Sequence, residues 1–324
     1  MTRKRILIFT LVFLILAGSY LIYNRDRIVG KRNNNPYQIS VITSGKSTES
    51  WTTIKLGIDQ AAKDLNVEVS FVALSSENNA QEQISLMQRE LSNGANAIVI
   101  APANTADLKA PIEKARNSVP VVTMQSTVDT IKNLPYISCD NYQLGKALAA
   151  KLVASKKDDG VIAILRNSMA CSNIRQRYLG IISALGSDSS KVEYWDIPDD
   201  PQEAYDKVKS KLSSSSATTL VALDGATLEA AGKAERDFIK GSDRRVQIYG
   251  LGRTNTVVSL LESHIINSIG VENEYNLGYL SIQSAVNRIN RKSDDSNNRI
   301  NFAIVDHQNM YNSDNQRLLF PFVG

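Results

Sequence analysis

From Gln38 onward the chain alternates short apolar runs with longer segments whose apolar residues recur at helical spacing. Residues 39–43 read as a strand. Ile54, Ile58, Ala61, Ala62 and Leu65 follow at i, i+4, i+7, i+8 and i+11, which lines one face of a helix. VEVSFVAL at 67–74 predicts a second strand, and Ile84, Met87 and Leu91 mark a second helix closed by Asn93-Gly94. The run AIVIAP at 97–102, a helix over 106–118 and the strand PVVTM at 120–124 continue the series. After Asp140-Asn141 the rhythm restarts. Leu144, Leu148 and Leu152 share a helix face, VIAIL at 161–165 is a strand, 173–185 is helical, and KVEYW at 191–195 is a strand. A helix at 201–212, the strand TLVAL at 219–223, a helix at 226–239, the strand VQIYGLG at 246–252, a helix at 274–290 and a last strand at 301–306 complete it. Strands alternating with helices in this way predict βαβ units and parallel sheets. Two such series in succession predict an α/β protein of two doubly wound parallel-sheet lobes; one large doubly wound sheet is the alternative the pattern leaves open.

Ahead of this region, residues 6–23 form an uncharged, largely apolar run of 18, preceded by Arg3, Lys4 and Arg5. Its length falls between the apolar core of a cleaved signal peptide and a full membrane span of about 20 residues. The expectation is one N-terminal transmembrane helix that stays uncleaved, with Ala17-Gly18-Ser19 as the small-residue site where a signal peptidase would otherwise cut. Ser19 also stands where a lipoprotein signal would need cysteine, and a hydroxyl cannot form the thioether. Residues 1–35 are therefore read as anchor and polar linker, ending at Pro36.

Charge changes the picture little. The chain of 324 residues carries 37 basic and 33 acidic side chains, but seven of the basic residues and one acid fall in the first 32 positions, which leaves 30 against 32 for the folded part. No basic face for nucleic acid is implied. Cys139 and Cys171 cannot form a disulfide framework, and His264 and His307 lie too far apart in sequence for a local zinc motif. No metal or other cofactor is expected. Gly45-Lys46-Ser47 resembles the end of a phosphate-binding loop, yet position 40 is Ser40 where that loop requires glycine. Gly250-Leu251-Gly252 begins a dinucleotide fingerprint that fails at Asn255.

What remains is a set of polar residues at the carboxyl ends of the predicted parallel strands, where open α/β sheets bind ligands. These are Ser44, residues 102–105, Gln125 and Ser126, Asn167 and Ser168, Asp224, and Arg253. Each could singly be a helix cap or loop residue; together they point to a binding cleft.

The stretches GIDQAAKDLNVEVSF, ISLMQRELSNGANAIVIAPAN, VPVVTMQS, ISCDNYQLGKALA, IRQRYLG and NEYNLGYLSIQSAV resemble the extracytoplasmic sugar-binding proteins of the ribose-binding type, which share the type I periplasmic-binding-protein fold. The resemblance covers nearly the whole chain from Gln38. Repressors related to the lactose repressor share that fold but begin with a helix-turn-helix, and here an apolar segment takes that place. The resemblance implies two lobes joined by a three-strand hinge, with crossings near Cys139-Asp140, Glu272-Asn273 and Asn301. The first lobe would be 36–139 plus 273–299 and the second 140–272 plus 300–324.

It also implies site residues. Ser44, Thr48, Ser50 and Trp51 fall in the loop after the first strand, where the family places polar contacts and stacking aromatics. The Trp51 indole could present its face to a sugar ring or sit in the core. Gln125, followed by Ser126, occupies a place where the family usually has aspartate, and an amide offers one acceptor beside its donors. Arg175 matches an arginine that reaches into the cleft from a second-lobe helix. Asp224 matches a polar ligand residue, and Glu272 a hinge position that commonly carries Gln or Asn. The family's second-lobe aspartate falls on Gly252, so Arg253 either substitutes for it toward an anionic group or points to solvent.

The implied function is a membrane-anchored, extracytoplasmic receptor that binds a sugar or sugar-like molecule between its lobes and is not an enzyme. Its expected partner is a membrane sensor histidine kinase, with an ABC permease as the alternative. A carbohydrate-processing hydrolase using Asp224 and Glu272 is the rival from another class.

Overall fold

In the computed structural model the described residues are 13, 20, 36–155, 160–293 and 299–320. The chain divides into two compact units, Met1–Tyr37 and Gln38–Gly324. The expected anchor at 6–23 lies outside the described residues apart from Phe13 and Tyr20. Among the described residues, no helix is long and apolar enough to cross a membrane.

The first sheet is ordered β2-β1-β3-β4-β5. Its strands are β1 (Tyr37–Ile42), β2 (Val67–Val72), β3 (Ala97–Ile100), β4 (Val121–Met124) and β5 (Tyr136–Ile137). β3 pairs in parallel with β1 and β4, and β4 with β5. Every residue of β3 and β4 is buried, as expected for a parallel sheet covered on both faces. Helices α1 (Glu49–Leu65), α2 (Ala80–Ser92) and α3 (Lys109–Arg116) supply the cover. α1 buries Ile54, Ile58 and Ala61, and it ends where Asn66 turns left-handed at φ 52° and donates its N–H to the carbonyls of Ala62 and Lys63.

The second sheet is ordered β11-β10-β9-β8-β6-β7. It contains β6 (Val161–Arg166), β7 (Val192–Asp196), β8 (Ala217–Ala222), β9 (Gln247–Leu251), β10 (Ser268–Glu272) and β11 (Phe302–Asp306). Its helices are α4 (Asn141–Ser155), α5 (Ser172–Leu185), α6 (Pro201–Ser214), α7 (Gly225–Phe238), α8 (Asn255–Glu262) and α10 (Ser313–Leu319). β11 runs antiparallel to β10, which corrects the expectation of a purely parallel sheet. It enters at the sheet's edge, where an antiparallel strand can be accommodated.

Two sheets with separate cores rule out the single-sheet alternative. The remaining helix, α9 (Glu274–Ile289), leaves the second sheet at the end of β10 and packs against α1, β3 and β4 of the first lobe. The chain thus passes between the lobes after β5, after β10 and before β11. These passes lie side by side: Ser138 bridges Arg299, Ile300 N–H donates to the Ser138 carbonyl at 3.2 Å, and Asn273 N–H donates to the Asn301 carbonyl at 3.1 Å.

Candidate functional site

Parallel strands bring their carboxyl ends to one edge of each sheet, and the two edges face each other across a cleft of about 600 Å³, a size typical of small-molecule sites. Ser44, Thr48, Ser50, Trp51, Gln125, Ser126, Asp224, Arg253 and Glu272 all line it; Arg175 does not.

The nine differ in how free they are. Trp51 is 5 % exposed and packs edge-on against Phe71, with ring centroids 6.3 Å apart, so it is a core residue that also forms cleft wall. Ser50 Oγ donates to Glu274 Oε1. Ser126 Oγ accepts from the backbone N–H of Ser172 at 3.0 Å, while Thr127 N–H donates to Ser172 Oγ at 2.8 Å. This reciprocal pair ties the loop after β4 to the start of α5 in the other lobe. Gln125 stands at a left-handed φ of 57°, its backbone carbonyl accepting from Tyr136 Oη at 2.6 Å. Among the described residues its side-chain amide has no hydrogen-bond partner, and Gln125 lines the cleft.

Asp224 is the N-cap of α7: its carboxylate accepts from the N–H and the hydroxyl of Thr227 at 2.8 and 2.9 Å. Burial pushes its pKa up, against the Thr227 bonds and the nearby Arg177 charge. Glu272 is one-tenth exposed and pairs through Oε1 with Arg177 at 3.1 Å, leaving Oε2 buried without a partner.

The structure decides against one of the two meanings the sequence left open for Arg253. The residue is 4 % exposed, so it does not point to solvent. Nor does it face a ligand anion with an open fork: Nη1 donates to the Leu319 carbonyl at 3.0 Å and Glu49 Oε1 at 3.4 Å, and Nη2 to Thr53 Oγ1 at 3.1 Å. Only Nε lacks a hydrogen bond, with Glu274 Oε2 at 4.0 Å. Arg253 is therefore a cross-lobe tie. The adjoining Gly252 has φ 120°, and a Cβ there would lie 2.5 Å from the backbone nitrogen of Gly225. The local backbone leaves no room for the aspartate that the resemblance implied at this position.

Arg175 sits at the rim. Its Nη1 donates to Thr105 Oγ1 at 3.1 Å in the first lobe and to the Ala170 carbonyl at 2.9 Å. The Thr105 N–H donates to that same carbonyl at 3.1 Å. The α5 arginine that lines the cleft is Arg177, 6 % exposed, which donates to Asn141 Oδ1 at 2.8 Å and the Leu223 carbonyl at 3.3 Å as well as to Glu272. A sequence signal existed for this: Ile174, Arg177 and Ile181 stand at i, i+3 and i+7 on the buried stripe of α5, and Arg175 lies off it.

The cleft also holds Glu49, Glu77, Asn78, Asn173, Asp199 and Glu274, which the sequence did not single out. Asn173 Oδ1 is buried and unpartnered. Asn78 Nδ2 reaches across to Ser168 Oγ at 2.7 Å and Asp199 Oδ1 at 3.1 Å. Burial drives the Glu274 carboxyl up to about 8. Glu77 is raised as well, first by burial and further by Asp199 and Asp224. Cys139 and Cys171 are both free and buried. Cys171 precedes α5 with its Sγ 3.1 Å from the Ala103 carbonyl, and burial raises its thiol to about 12, far from a reactive thiolate. Among the described residues, no group of three or more His, Cys, Asp or Glu could hold a metal ion.

Comparison with known proteins gives a consistent picture. Residues 39–293 match the family described as periplasmic binding protein domain. The ribose import binding protein RbsB of Bacillus subtilis is 25% identical over 150 residues, 46% of this chain and 48% of that protein. The chain spans about half the length of the curated relatives it matches. Among solved structures, a carbohydrate transporter solute binding protein from Agrobacterium radiobacter in complex with D-arabinose superposes with a TM-score of 0.81 at 22% identity, over 89% of this chain and 100% of that one. The XylFII–LytSN complex gives 0.76 at 21% identity, over 84% and 98%.

Proposed function

Because this chain belongs to the periplasmic binding protein domain family, we propose that it is a receptor that closes two lobes over a sugar or sugar-like molecule. One observation carries the reading: among the described residues, buried polar atoms without hydrogen-bond partners belong to residues that line a single cleft from both lobes and the hinge. They are Glu274 Oε2 from α9, Asn173 Oδ1 and Arg253 Nε from the second lobe, and Glu272 Oε2 from the end of β10. An unpaired buried polar atom costs about 1–3 kcal/mol, so a guest that satisfies several at once is favoured. Atoms supplied by both lobes bind better when the lobes are shut, which is the condition for a ligand to shift the equilibrium toward closure.

A hydrolase is disfavoured by the same geometry. Both oxygens of Asp224 are held by Thr227 and one oxygen of Glu272 by Arg177, so neither is a free acid or base. Thermal unfolding of the full chain against pentoses, hexoses, polyols and sugar acids tests the reading. We expect one class to raise Tm saturably and to be recovered unchanged. Released product would favour the hydrolase, and a panel with no effect would end the sugar reading.

The lobes are placed outside the membrane on the anchor at 6–23, an arrangement that rests on the apolar run itself and on the family's usual location. For output, signalling to a membrane sensor histidine kinase is preferred. An uncleaved anchor holds the lobes beside a membrane partner, and the XylFII–LytSN complex is an assembly built on a protein of this fold. Feeding an ABC permease is the second reading, favoured by the import and transporter roles in the names of the Bacillus and Agrobacterium proteins. Co-purification that recovers permease subunits and no kinase would reverse the preference.

A further inference from the structure

Seven carboxylates and four cationic side chains line the cleft. Three of the four cations are already matched: Arg177 by Glu272, Arg253 by Glu49 and Lys233 by Glu229. Of the remaining four carboxyls, Glu274 lies 4.0 Å from Arg253 Nε, and Glu77, Asp199 and Asp224 face the exposed Lys46. The three acids come from both lobes. Glu77 belongs to the first, where its Oε1 accepts the Lys46 backbone N–H at 2.9 Å, and Asp199 and Asp224 follow β7 and β8 in the second. Closure therefore brings together three carboxyl groups, none with an ion-pair partner among the described residues, although Arg177 lies near Asp224. Of the buried atoms on the cleft wall without hydrogen-bond partners among the described residues, Glu272 Oε2 and Asn173 Oδ1 are acceptors, Arg253 Nε is a donor, and Glu274, its carboxyl raised to about 8, keeps a proton at pH 7. Glu272 is itself nine-tenths buried, so its free oxygen is held in place rather than left to solvent.

The geometry points to a cationic guest: a monosaccharide or polyol carrying a protonated amino group, with its ammonium set among Glu77, Asp199 and Asp224 and its hydroxyls on the remaining acceptors. This rests on the sugar-binding reading and narrows it. An ammonium brings three donors and a positive charge, which suits a site rich in acceptors and short of cations. A neutral sugar brings hydroxyl donors without the charge, and leaves three carboxylates crowded in a closing cleft.

The test is titration calorimetry on the full chain at pH 7 with D-glucosamine and D-galactosamine, each against its neutral parent and its N-acetyl derivative. The amino sugar is expected to bind about tenfold to a hundredfold more tightly than either counterpart. Glu77→Gln and Asp199→Asn should each shrink that ratio; Asp199 lies exposed at the mouth, so its replacement does not threaten folding. A neutral parent that binds as well as the amine would overturn the inference and leave the sugar reading standing, as would an N-acetyl form that matches the amine. If neither amino nor neutral sugars bind, the sugar reading fails and this inference with it.

Discussion

In the first lobe α9 enters from the hinge and crosses α1 at Gly278 and Gly57; in the second, α4 enters from the hinge and crosses α5 at Gly145 and Gly180. A Cβ on Gly278 would lie 2.0 Å from the Ile54 carbonyl oxygen, and one on Gly180 2.0 Å from that of Tyr142. The entering helices are capped alike, Asn273 accepting from Asn276 N–H at 2.9 Å and Asp140 from Gln143 N–H at 3.0 Å. The polar residues on this shared plan differ. α1 carries Glu49 into the cleft and Thr53 onto Arg253, whereas α5 carries Arg177 into the cleft and Ser172 onto the loop after β4. Backbone contact between helices admits only glycine at the crossing, so the packing repeats. Side chains at the cleft edge carry no such constraint, and there the two lobes place different residues.

The largest expected effects separate the two buried arginines. Arg177 bonds Asn141, Leu223 and Glu272, all on second-lobe elements, so opening the cleft does not release its partners. Arg177→Met should cost about 3–5 kcal/mol in urea unfolding, because Glu272 stays buried without its counter-charge. Arg253 instead bonds Glu49 and Thr53 across the cleft. In Arg253→Met the lobes can part and let water reach Glu49 and Glu274. The variant should therefore gain radius of gyration in solution scattering and lose less unfolding stability than Arg177→Met. Equal unfolding losses without expansion would erase this distinction.

The shared packing can be probed directly. Gly278→Ala and Gly180→Ala should each cost about 1–3 kcal/mol, since backbone must shift to admit a methyl group. Gly241→Ala, where nothing lies within 4 Å, should stay within about 0.5 kcal/mol of wild type. If one crossing tolerates alanine and the other does not, the repeat is one of topology and not of packing.

The sequence showed this plan more clearly than it showed the charges. Buried parallel strands such as AIVI at 97–100 and the Ile54, Ile58, Ala61 stripe are dictated by local periodicity, and the structure places them as read. β5, of two residues, and β10, with Gly270 at its centre, are too short or too weakly apolar to announce themselves. The antiparallel sense of β11 is set by where the third hinge pass delivers it. In the cleft, strand-end residues such as Gln125 and Asp224 could be found because topology fixes where strand ends go. Glu77, Asp199 and Glu274 could not, because each matters only through residues from elsewhere in the chain that the fold brings beside it.

A pH series sharpens the electrostatic side of the comparison. With its pKa raised to about 8, Glu274 holds a proton in the folded state across a range where the unfolded chain, near about 4.3 for glutamate, has lost it. The folded state then binds more protons, so the Glu274 contribution makes stability fall as pH rises between those two values, by at most about 1.4 kcal/mol per pH unit. Ser50, Arg253, Glu272 and Glu49 are the groups around it. Glu274→Gln should flatten this part of the profile between pH 5 and 8, as measured by urea unfolding. An unchanged slope would place the titrating carboxyl elsewhere.

The smallest expected effect concerns the rim, where Arg175 belongs to one lobe and Thr105 to the other. Arg175→Ala removes the Nη1 bonds to Thr105 Oγ1 and the Ala170 carbonyl, but the backbone bond from Thr105 N–H to Ala170 remains. Arg175 is half-buried, so water replaces part of what is lost, and closure should weaken by about 0.5–1.5 kcal/mol. Amide hydrogen exchange at Thr105 reads this directly, because its N–H is protected only while the lobes are shut. Faster exchange there, with α2 and α3 unchanged, would identify Arg175 as a clasp on the closed cleft; unchanged exchange would mean that the Thr105 N–H and hydroxyl bonds to the Ala170 carbonyl hold the rim without it.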